Sequence, residues 1–457
     1  MVTPLKTLMG FSVHLNVQLK FYNLPYTKKN YKKAPLSSIH FRIYFALALG
    51  QIACGFALGI SGTALSQATD YINIPDFWVG LIGAGSLIGL AGSALMGKIA
   101  DQFGRRRMLM LDMYLFSIFS LLQLATMNLV ILFILRILIG LMIAIDYTVG
   151  NALLVEWLPA KESGRLQSQL IVYWTIGFIT SYIAGILITG FGAHNWQIIL
   201  ASSVVPGLMA AIYRSIFRIP ASPSWLASQG KNKTAQKLIQ KHLGKKWGLS
   251  LKQIRSKKPK AVSLKTLFNP PYRRKTIVGG LFYACQAFSF FGISIFLPIL
   301  LKSMNLGNNN LSGIIYNSCV LIGVIFGSLI FKILSRRMFL VRTFFLSAAA
   351  LILLIIGNNF SPFFQISVFA IFAIVLSSGL VLDYPYPTEL FDVKVRASGV
   401  GTCITISRFG AASGTFLLPI LTHLGGPILA MLICTLVLLI GGTICLLWAP
   451  ETSPKYI

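Results

Sequence analysis

Acidic residues are rare in this chain, and two of them stand inside long apolar runs. The 457-residue sequence has only 11 aspartates and glutamates, with none between Glu162 and Asp383. Hydrocarbon disfavours an ionised carboxylate and favours its protonated form. We therefore expect Asp146 and Asp383 to be proton-coupling groups. The alternative is that they cap helix ends or pair with Arg165 and Arg396.

The same order of residues occurs twice in the chain: an Asp-Tyr pair, then a glutamate, then an arginine. The first copy is Asp146, Tyr147, Glu156 and Arg165, and the second copy is Asp383, Tyr384, Glu389 and Arg396. Two such matches at equivalent places indicate an internal repeat, which transporter folds often contain.

Other polar residues within apolar runs are candidates for solute binding. They are Arg136, Gln169, Gln286, Asn317 and Tyr384. A hydrogen bond between helices explains each amide as well as a ligand does. Arg136 precedes Asp146 by about 15 Å of helix, too far for a direct pair. We expect it to meet Asp112 or a substrate anion.

The elements that must position these residues are membrane-spanning helices. The chain is 55% hydrophobic and only 11% charged, whereas soluble domains carry about 25% charged residues. Apolar windows of roughly 20 residues, the length that crosses a bilayer, recur along the chain. We count twelve, in two sets of six, and predict an all-α integral membrane fold of two pseudo-repeated six-helix bundles.

Five segments follow from this count. They are a basic N-terminal arm at 1–41, a six-helix bundle at 42–217, a basic linker at 218–275, a second six-helix bundle at 276–449 and a tail at 450–457. The linker contains 16 lysines and arginines and no acidic residue.

The basic residues alternate between loops, with 40 lysines and arginines in total. Positive loops face the cytoplasm, so both chain ends should be cytoplasmic and the basic face should meet anionic lipid. This pattern makes a nucleic-acid role unnecessary. Compact loops favour a bacterial inner membrane, and we expect a monomer.

We expect neither an enzyme nor a cofactor or metal site. The six cysteines all fall inside predicted spans without metal-ligand spacing. The sequence also contains no phosphate-binding loop or nucleophile elbow.

One loop motif resembles the major facilitator superfamily, whose signature reads G-x-x-x-D-x-x-G-R-[RK]. It is formed by Gly97, Asp101, Gly104, Arg105 and Arg106. The resemblance implies a gating loop between the second and third helices. In the second half only a basic end, Arg336-Arg337, survives.

Further motifs are similar to the sugar-porter branch of that superfamily. They are Arg136 with Gly140, Glu156 with Pro159 and Arg165, Pro387 to Phe391 with Arg396, and Pro450-Glu451-Thr452. The resemblance implies that Glu156, Arg165, Glu389 and Arg396 form gating ion pairs, and we add Arg408 to this conformational group.

Two departures leave the substrate open. Ala57 stands where proton-coupled sugar porters carry a first-helix aspartate, and Asp146-Tyr147 resembles the G-D-Y-P run of phosphate and organic-anion symporters. The prediction is a secondary transporter of a small polar solute, either a sugar or an organic or inorganic anion, coupled to protons. The alternatives are a proton-independent uniporter and a non-transporting receptor on the same fold.

Overall fold

The computed structural model describes residues 29–250, 264–304, 309–331, 333–383, 385–392 and 395–453. In these parts, eleven helices are long and apolar enough to cross a membrane. Their bounds are Ser38–Tyr71, Asp76–Ala100, Arg105–Ala125, Leu129–Trp157, Arg165–Leu187, Gly192–Ile216, Arg273–Ile295, Asn310–Ile330, Arg336–Ile356, Pro362–Leu390 and Ser398–Trp448. We number them as spans 1 to 11 in chain order, with one division below.

The last helix is two spans joined at a kink. Gly425 and Gly426 leave helical geometry, and Gly426 has a φ of 68°, a conformation that glycine adopts without a Cβ penalty. The segment before the kink is span 11 and the segment after it is span 12. The predicted twelve-helix membrane fold is thereby confirmed.

Each half of the chain packs in the same order. In the first half, span 1 packs on span 5, span 2 on span 4 and span 3 on span 6. In the second half, span 7 packs on span 11 and span 8 on span 10. The halves meet where span 2 contacts span 11 and span 5 contacts span 8.

The side of the bundle that carries Ser38 and Trp448 is called the basic side here, and the opposite side is called the far side. On the basic side, a small cluster joins the start of the chain to the linker. Strand β1, Lys29–Asn30, pairs in parallel with strand β2, Trp247–Gly248. Two linker helices, Pro223–Ser228 and Asn232–Leu243, complete the cluster.

This cluster, which we call the basic-side cluster, has a hydrophobic core of its own. Its buried residues are Tyr31, Ala34, Leu226, Ala227, Ala235, Ile239, Trp247 and Leu249. The apolar face of the helix Asn232–Leu243 therefore packs on protein, although its sequence also suits a membrane surface.

Candidate functional site

A small cavity lies between the two halves, with a volume of about 30 Å³. The first half contributes Tyr147 from span 4 and Ile171 and Trp174 from span 5. The second half contributes Tyr283, Ala287, Phe290 and Phe291 from span 7, Leu380 and Asp383 from span 10, and Arg408 from span 11. A site lined by both halves is where an alternating-access transporter binds its solute.

Asp383 and Arg408 give this cavity one charge of each sign. Both side chains are buried, with 6% and 4% of their surface exposed. Among the residues that the structure describes, the Oδ1 atom of Asp383 has no hydrogen-bond partner. Arg408 donates through Nη2 to the Tyr283 hydroxyl at 3.0 Å, and its guanidinium also lies 6.0 Å from the centre of the Tyr147 ring.

A second group of charges lies wholly inside the first half. Arg214 on span 6 donates through Nη1 to both oxygens of Asp112 on span 3, at 2.9 and 3.0 Å. Its Nη2 forms an ion pair with Oδ1 of Asp146 on span 4. Side-chain exposure is 0% for all three residues. We call these three residues the buried charge cluster.

Span 1 closes the buried charge cluster from the remaining side. Gln51 donates to Oδ2 of Asp146 at 3.2 Å, and the Cys54 thiol lies 3.9 Å from the same oxygen. Arg214 also donates to the carbonyls of Ala46 and Leu109. Four spans therefore fix the two carboxylates.

The backbone at Asp146 departs from a regular α-helix. Residues Asp146 to Gly150 form a π-helical turn between the helices Leu129–Ile145 and Asn151–Trp157. Such turns occur frequently at functional sites. Asp146 points into the buried charge cluster while its neighbour Tyr147 lines the cavity, so this turn connects the two groups.

Arg136 does not meet Asp112, one of the two partners expected for it. It is fully buried, and both Nη1 and Nη2 donate to the Ala57 carbonyl at 3.1 Å. Asp112 is paired with Arg214 because span 6 lies against span 3. Ala57 is the residue that the resemblance aligns with the first-helix aspartate of proton-coupled sugar porters, and here its backbone carbonyl accepts from Arg136.

The predicted solute-binding amides do not line the cavity in the described part of the chain. Gln286 is buried three residues after Tyr283 on span 7 and is not among the residues that line the cavity; its amide nitrogen lies near Gly379 of span 10. Asn317 is buried and donates to the Gly313 carbonyl of its own helix at 2.9 Å. Gln169 is exposed. Tyr384 lies outside the described residues.

Among the expected gating residues on the basic side, the glutamate of each half lies in an ion pair between helices. Glu156 pairs with Arg105 of the loop motif, and not with Arg165, which pairs with Glu162 at 3.4 Å. Since Arg165 and Glu162 are three residues apart on one helix, their pairing is local.

In the second half, Glu389 pairs with Arg336 at 3.4 Å. Arg396 begins the helix that forms span 11, but its side chain is outside the description, as is that of Asp101. Gly104 has a φ of 95°, which explains the glycine at this turn. Gly97 is partly exposed in span 2 and Arg106 is exposed.

The far side is closed by direct contact between the halves. Asp70 pairs with Lys302 at 2.6 Å, and Asp76 with His423 at 3.1 Å. A Cβ built on Gly62 of span 1 would lie 1.4 Å from the Ile295 carbonyl oxygen of span 7. The helices therefore approach as closely as glycine allows.

Sequence reasoning missed Arg214, Tyr283 and the far-side ion pairs. Arg214 carried a usable signal, since it is an arginine inside an apolar run, and such residues are functional candidates. Among the described residues, no group of three or more histidine, cysteine, aspartate or glutamate side chains could hold a metal ion.

Known proteins show the same architecture. A family model described as Major Facilitator Superfamily matches residues 47–400. The inner membrane metabolite transport protein YgcS of Escherichia coli (strain K12) is 32% identical over 92% of this chain and 93% of that protein. The arabinose-proton symporter of Bacillus subtilis (strain 168) is 26% identical over 80% and 82%, respectively.

A solved structure of the xylose transporter XylE from E. coli, in a partially occluded inward open conformation, matches with a TM-score of 0.76. That match covers 91% of this chain and 99% of XylE at 17% sequence identity, so it shows the fold alone. The two six-helix halves, the family model and the similarity to YgcS together show that this chain is a secondary transporter of the Major Facilitator Superfamily, similar to its sugar porters.

Proposed function

We propose that this protein is a proton-coupled symporter that moves a small polar metabolite across a bacterial inner membrane by alternating access. The observation that carries this proposal is the π-helical turn at Asp146 and Tyr147. In this turn Asp146, whose carboxylate belongs to the buried charge cluster, stands next to Tyr147, which lines the cavity. Protonation at Asp146 and solute binding at Tyr147 can thereby act on one another.

The buried charge cluster has the charge balance of a proton site. Two carboxylates share one guanidinium, so the cluster carries a net charge of −1 when all three groups are ionised. An uncompensated charge is expensive in a dry interior. One added proton makes the cluster neutral. We assign proton coupling to Asp146 with Asp112.

Asp383 takes a different role in this proposal from the one the sequence predicts. It lines the cavity together with Arg408, so we assign it to the solute. The arabinose-proton symporter, a relative across most of the chain, supports coupling to protons. Because Ala57 replaces the first-helix aspartate of the sugar porters, the buried charge cluster is the candidate that remains in the first half.

The orientation and the transport unit are also proposals. The basic loops and the basic-side cluster would face the cytoplasm and its anionic lipid, with both chain ends on that side. YgcS, the relative described above, is an inner membrane protein. Since one chain supplies residues from both halves to the cavity, we propose that the monomer transports.

The test is uptake into proteoliposomes with and without an imposed inward proton gradient. The panel contains radiolabelled sugars, organic acids, amino acids and phosphate. The native protein is compared with Asp146→Asn, and with Glu162→Gln as a matched control. Glu162 forms an ion pair with its helical neighbour Arg165 and is not among the residues that line the cavity.

We expect a panel member to accumulate with the gradient, Asp146→Asn to abolish accumulation, and Glu162→Gln to retain it. If the solute equilibrates at the same rate with and without the proton gradient, the protein is a uniporter and not a symporter. Binding without flux or exchange under either condition would favour a receptor.

A further inference from the structure

We propose that the cavity between the halves selects a zwitterionic solute, an amino-carboxylate whose carboxylate binds Arg408 and whose ammonium group binds Asp383. This inference deepens the proposed function, because it rests on that cavity being the solute site. It names a substrate class that neither a sugar nor a simple anion fulfils.

Asp383 supplies the first observation. Its side chain is buried, it lines the cavity, and its Oδ1 atom accepts no hydrogen bond from the described part of the chain. A buried acceptor without a donor is costly, and more so when it is ionised. An ammonium group brings both a positive charge and N–H donors, so it would satisfy this oxygen.

Arg408 supplies the second observation. The guanidinium is buried beside Tyr283 and Tyr147 and lines the same cavity. Guanidinium groups carry five N–H donors and match the geometry of a carboxylate. The hydrogen bond to the Tyr283 hydroxyl fixes the plane of the Arg408 head group. A carboxylate of the solute is the complementary ligand.

The charge balance separates the substrate classes. A zwitterion brings one charge for each of Asp383 and Arg408 and adds no net charge to a buried site. A simple carboxylate would meet Arg408 but place a second negative charge near Asp383, which is unfavourable at low dielectric. A sugar also adds no net charge and has donors for Asp383, but it brings no carboxylate whose geometry matches the Arg408 guanidinium.

The rest of the wall accommodates a short carbon skeleton. Trp174 of the first half lies with its ring centre 6.1 Å from that of Phe290 and 6.0 Å from that of Phe291 in the second half. A volume of about 30 Å³ holds little more than water. A solute therefore enters when the halves separate, and its skeleton must be small.

The test measures binding by isothermal titration calorimetry on the purified full-length protein in detergent. The ligands are glycine, β-alanine and 4-aminobutyrate, which differ in the spacing of their charges. Each is compared with the carboxylate of equal chain length: acetate, propionate and butyrate. Xylose is the neutral comparison. We expect at least one amino acid to bind about 10- to 100-fold more tightly than its carboxylate, since one charged hydrogen-bonded contact is gained.

Two variants locate the effect. Asp383→Asn should remove the preference for the amino acid over its carboxylate, while binding of the carboxylate persists. Arg408→Gln should weaken both ligands. Asp392→Asn is the matched control, because Asp392 is an exposed carboxylate of the same half that accepts from Tyr272 outside the cavity.

Equal binding of every amino acid and its carboxylate by the native protein would overturn the proposal, as would tighter binding of xylose. Both outcomes are measured on the native protein, so they do not depend on whether a variant folds. Gradient-driven accumulation of a sugar would sink this inference while leaving proton symport intact. Binding of an amino acid without flux would support the zwitterion site and contradict proton symport.

Discussion

Arg214 and Asp146 form an ion pair in the interior of the first half, and neither side chain is exposed. The two residues are 68 positions apart in the sequence. Arg214 simultaneously holds Asp112, so a single guanidinium serves two carboxylates on different spans. This sharing leaves one negative charge without a cation.

The buried charge cluster predicts a strong effect of removing its cation. Arg214→Gln leaves Asp112 and Asp146 as two unpaired buried carboxylates, which costs about 3–5 kcal/mol of stability. We expect a large drop in the unfolding midpoint of the purified protein, measured by thermal unfolding in detergent.

The double variant Arg214→Gln with Asp112→Asn is the control for this prediction. It removes one acid and one base, so the net charge of the cluster returns to −1. The double variant should be more stable than Arg214→Gln alone. A double variant that loses as much as both single changes added together would show that the charges act independently.

The far-side ion pairs predict a reversible lock. Asp70 and Lys302 lie in opposite halves and their charged ends are 2.6 Å apart. In a variant with cysteine at both positions, a short bis-methanethiosulfonate cross-linker, which spans the gap left by the two longer side chains, should join the halves and hold the far side closed. Transport should then fall to background and return after reduction.

The control for this lock places cysteine at Asp70 alone, which cannot form the intramolecular bridge. Gel mobility after proteolysis between the halves would show whether the cross-link exists. Full transport by a cross-linked protein would mean that the halves do not separate on the far side.

The basic-side cluster predicts a role for Tyr31 in holding the start of the chain. Tyr31 is fully buried, and its hydroxyl donates to the Glu156 carbonyl at 2.8 Å and lies 2.9 Å from the Ser224 hydroxyl. Tyr31→Ala should destabilise this cluster by about 3–5 kcal/mol, as for other buried aromatic residues. Hydrogen exchange at Trp247 and Gly248 should accelerate.

Tyr31→Phe keeps the ring and is the matched comparison. It should cost about 1 kcal/mol, the usual net contribution of a hydrogen bond. Exchange rates in Tyr31→Ala that equal those of the native protein would mean that the strand pairing is held by other contacts.

The hydrogen bonds of Glu451, just after span 12, should make the stability of the protein depend on pH. Its Oε1 accepts from the backbone N–H groups of Arg336 and Ser453 at 3.0 and 2.8 Å, and its Oε2 from that of Arg337 at 3.2 Å. Partial burial alone would raise the pKa of Glu451, but these hydrogen bonds outweigh it and lower the pKa below its ordinary value.

A carboxylate with a lowered pKa stabilises the folded state above its ordinary pKa, and this contribution is lost as the pH falls through the folded-state value. Thermal stability should therefore decline on acidification below about pH 4.5. Glu451→Gln should show a smaller decline over that range. An equal decline in both proteins would place the effect on another group.

The sequence predicts much of the architecture because each membrane helix is determined by the residues of its own segment. A run of about 20 apolar residues must become a helix in lipid, where each backbone group needs an internal partner. The twelve spans, the family and the transporter class could therefore be predicted. The loop motif with Gly104 and Arg105 indicated the family. The position of Asp146 inside an apolar run predicted that this residue has a functional role.

The partners of the charged residues could not be read from the sequence. Arg136 and Asp112 are both buried, and only the packing of span 6 on span 3 decides that Asp112 meets Arg214. Likewise, Tyr283 and Gln286 are three residues apart on span 7, and only the packing of the neighbouring helices decides that Tyr283 lines the cavity while Gln286 lies near Gly379.

Apolar length and the order of the motifs were thus determined by the sequence alone, since they depend on neighbours along the chain. The pairing of charges, the residues of the cavity and the closure of the far side were decided by the tertiary structure. They depend on helices that lie side by side but are far apart in sequence, and on which face each helix turns inward.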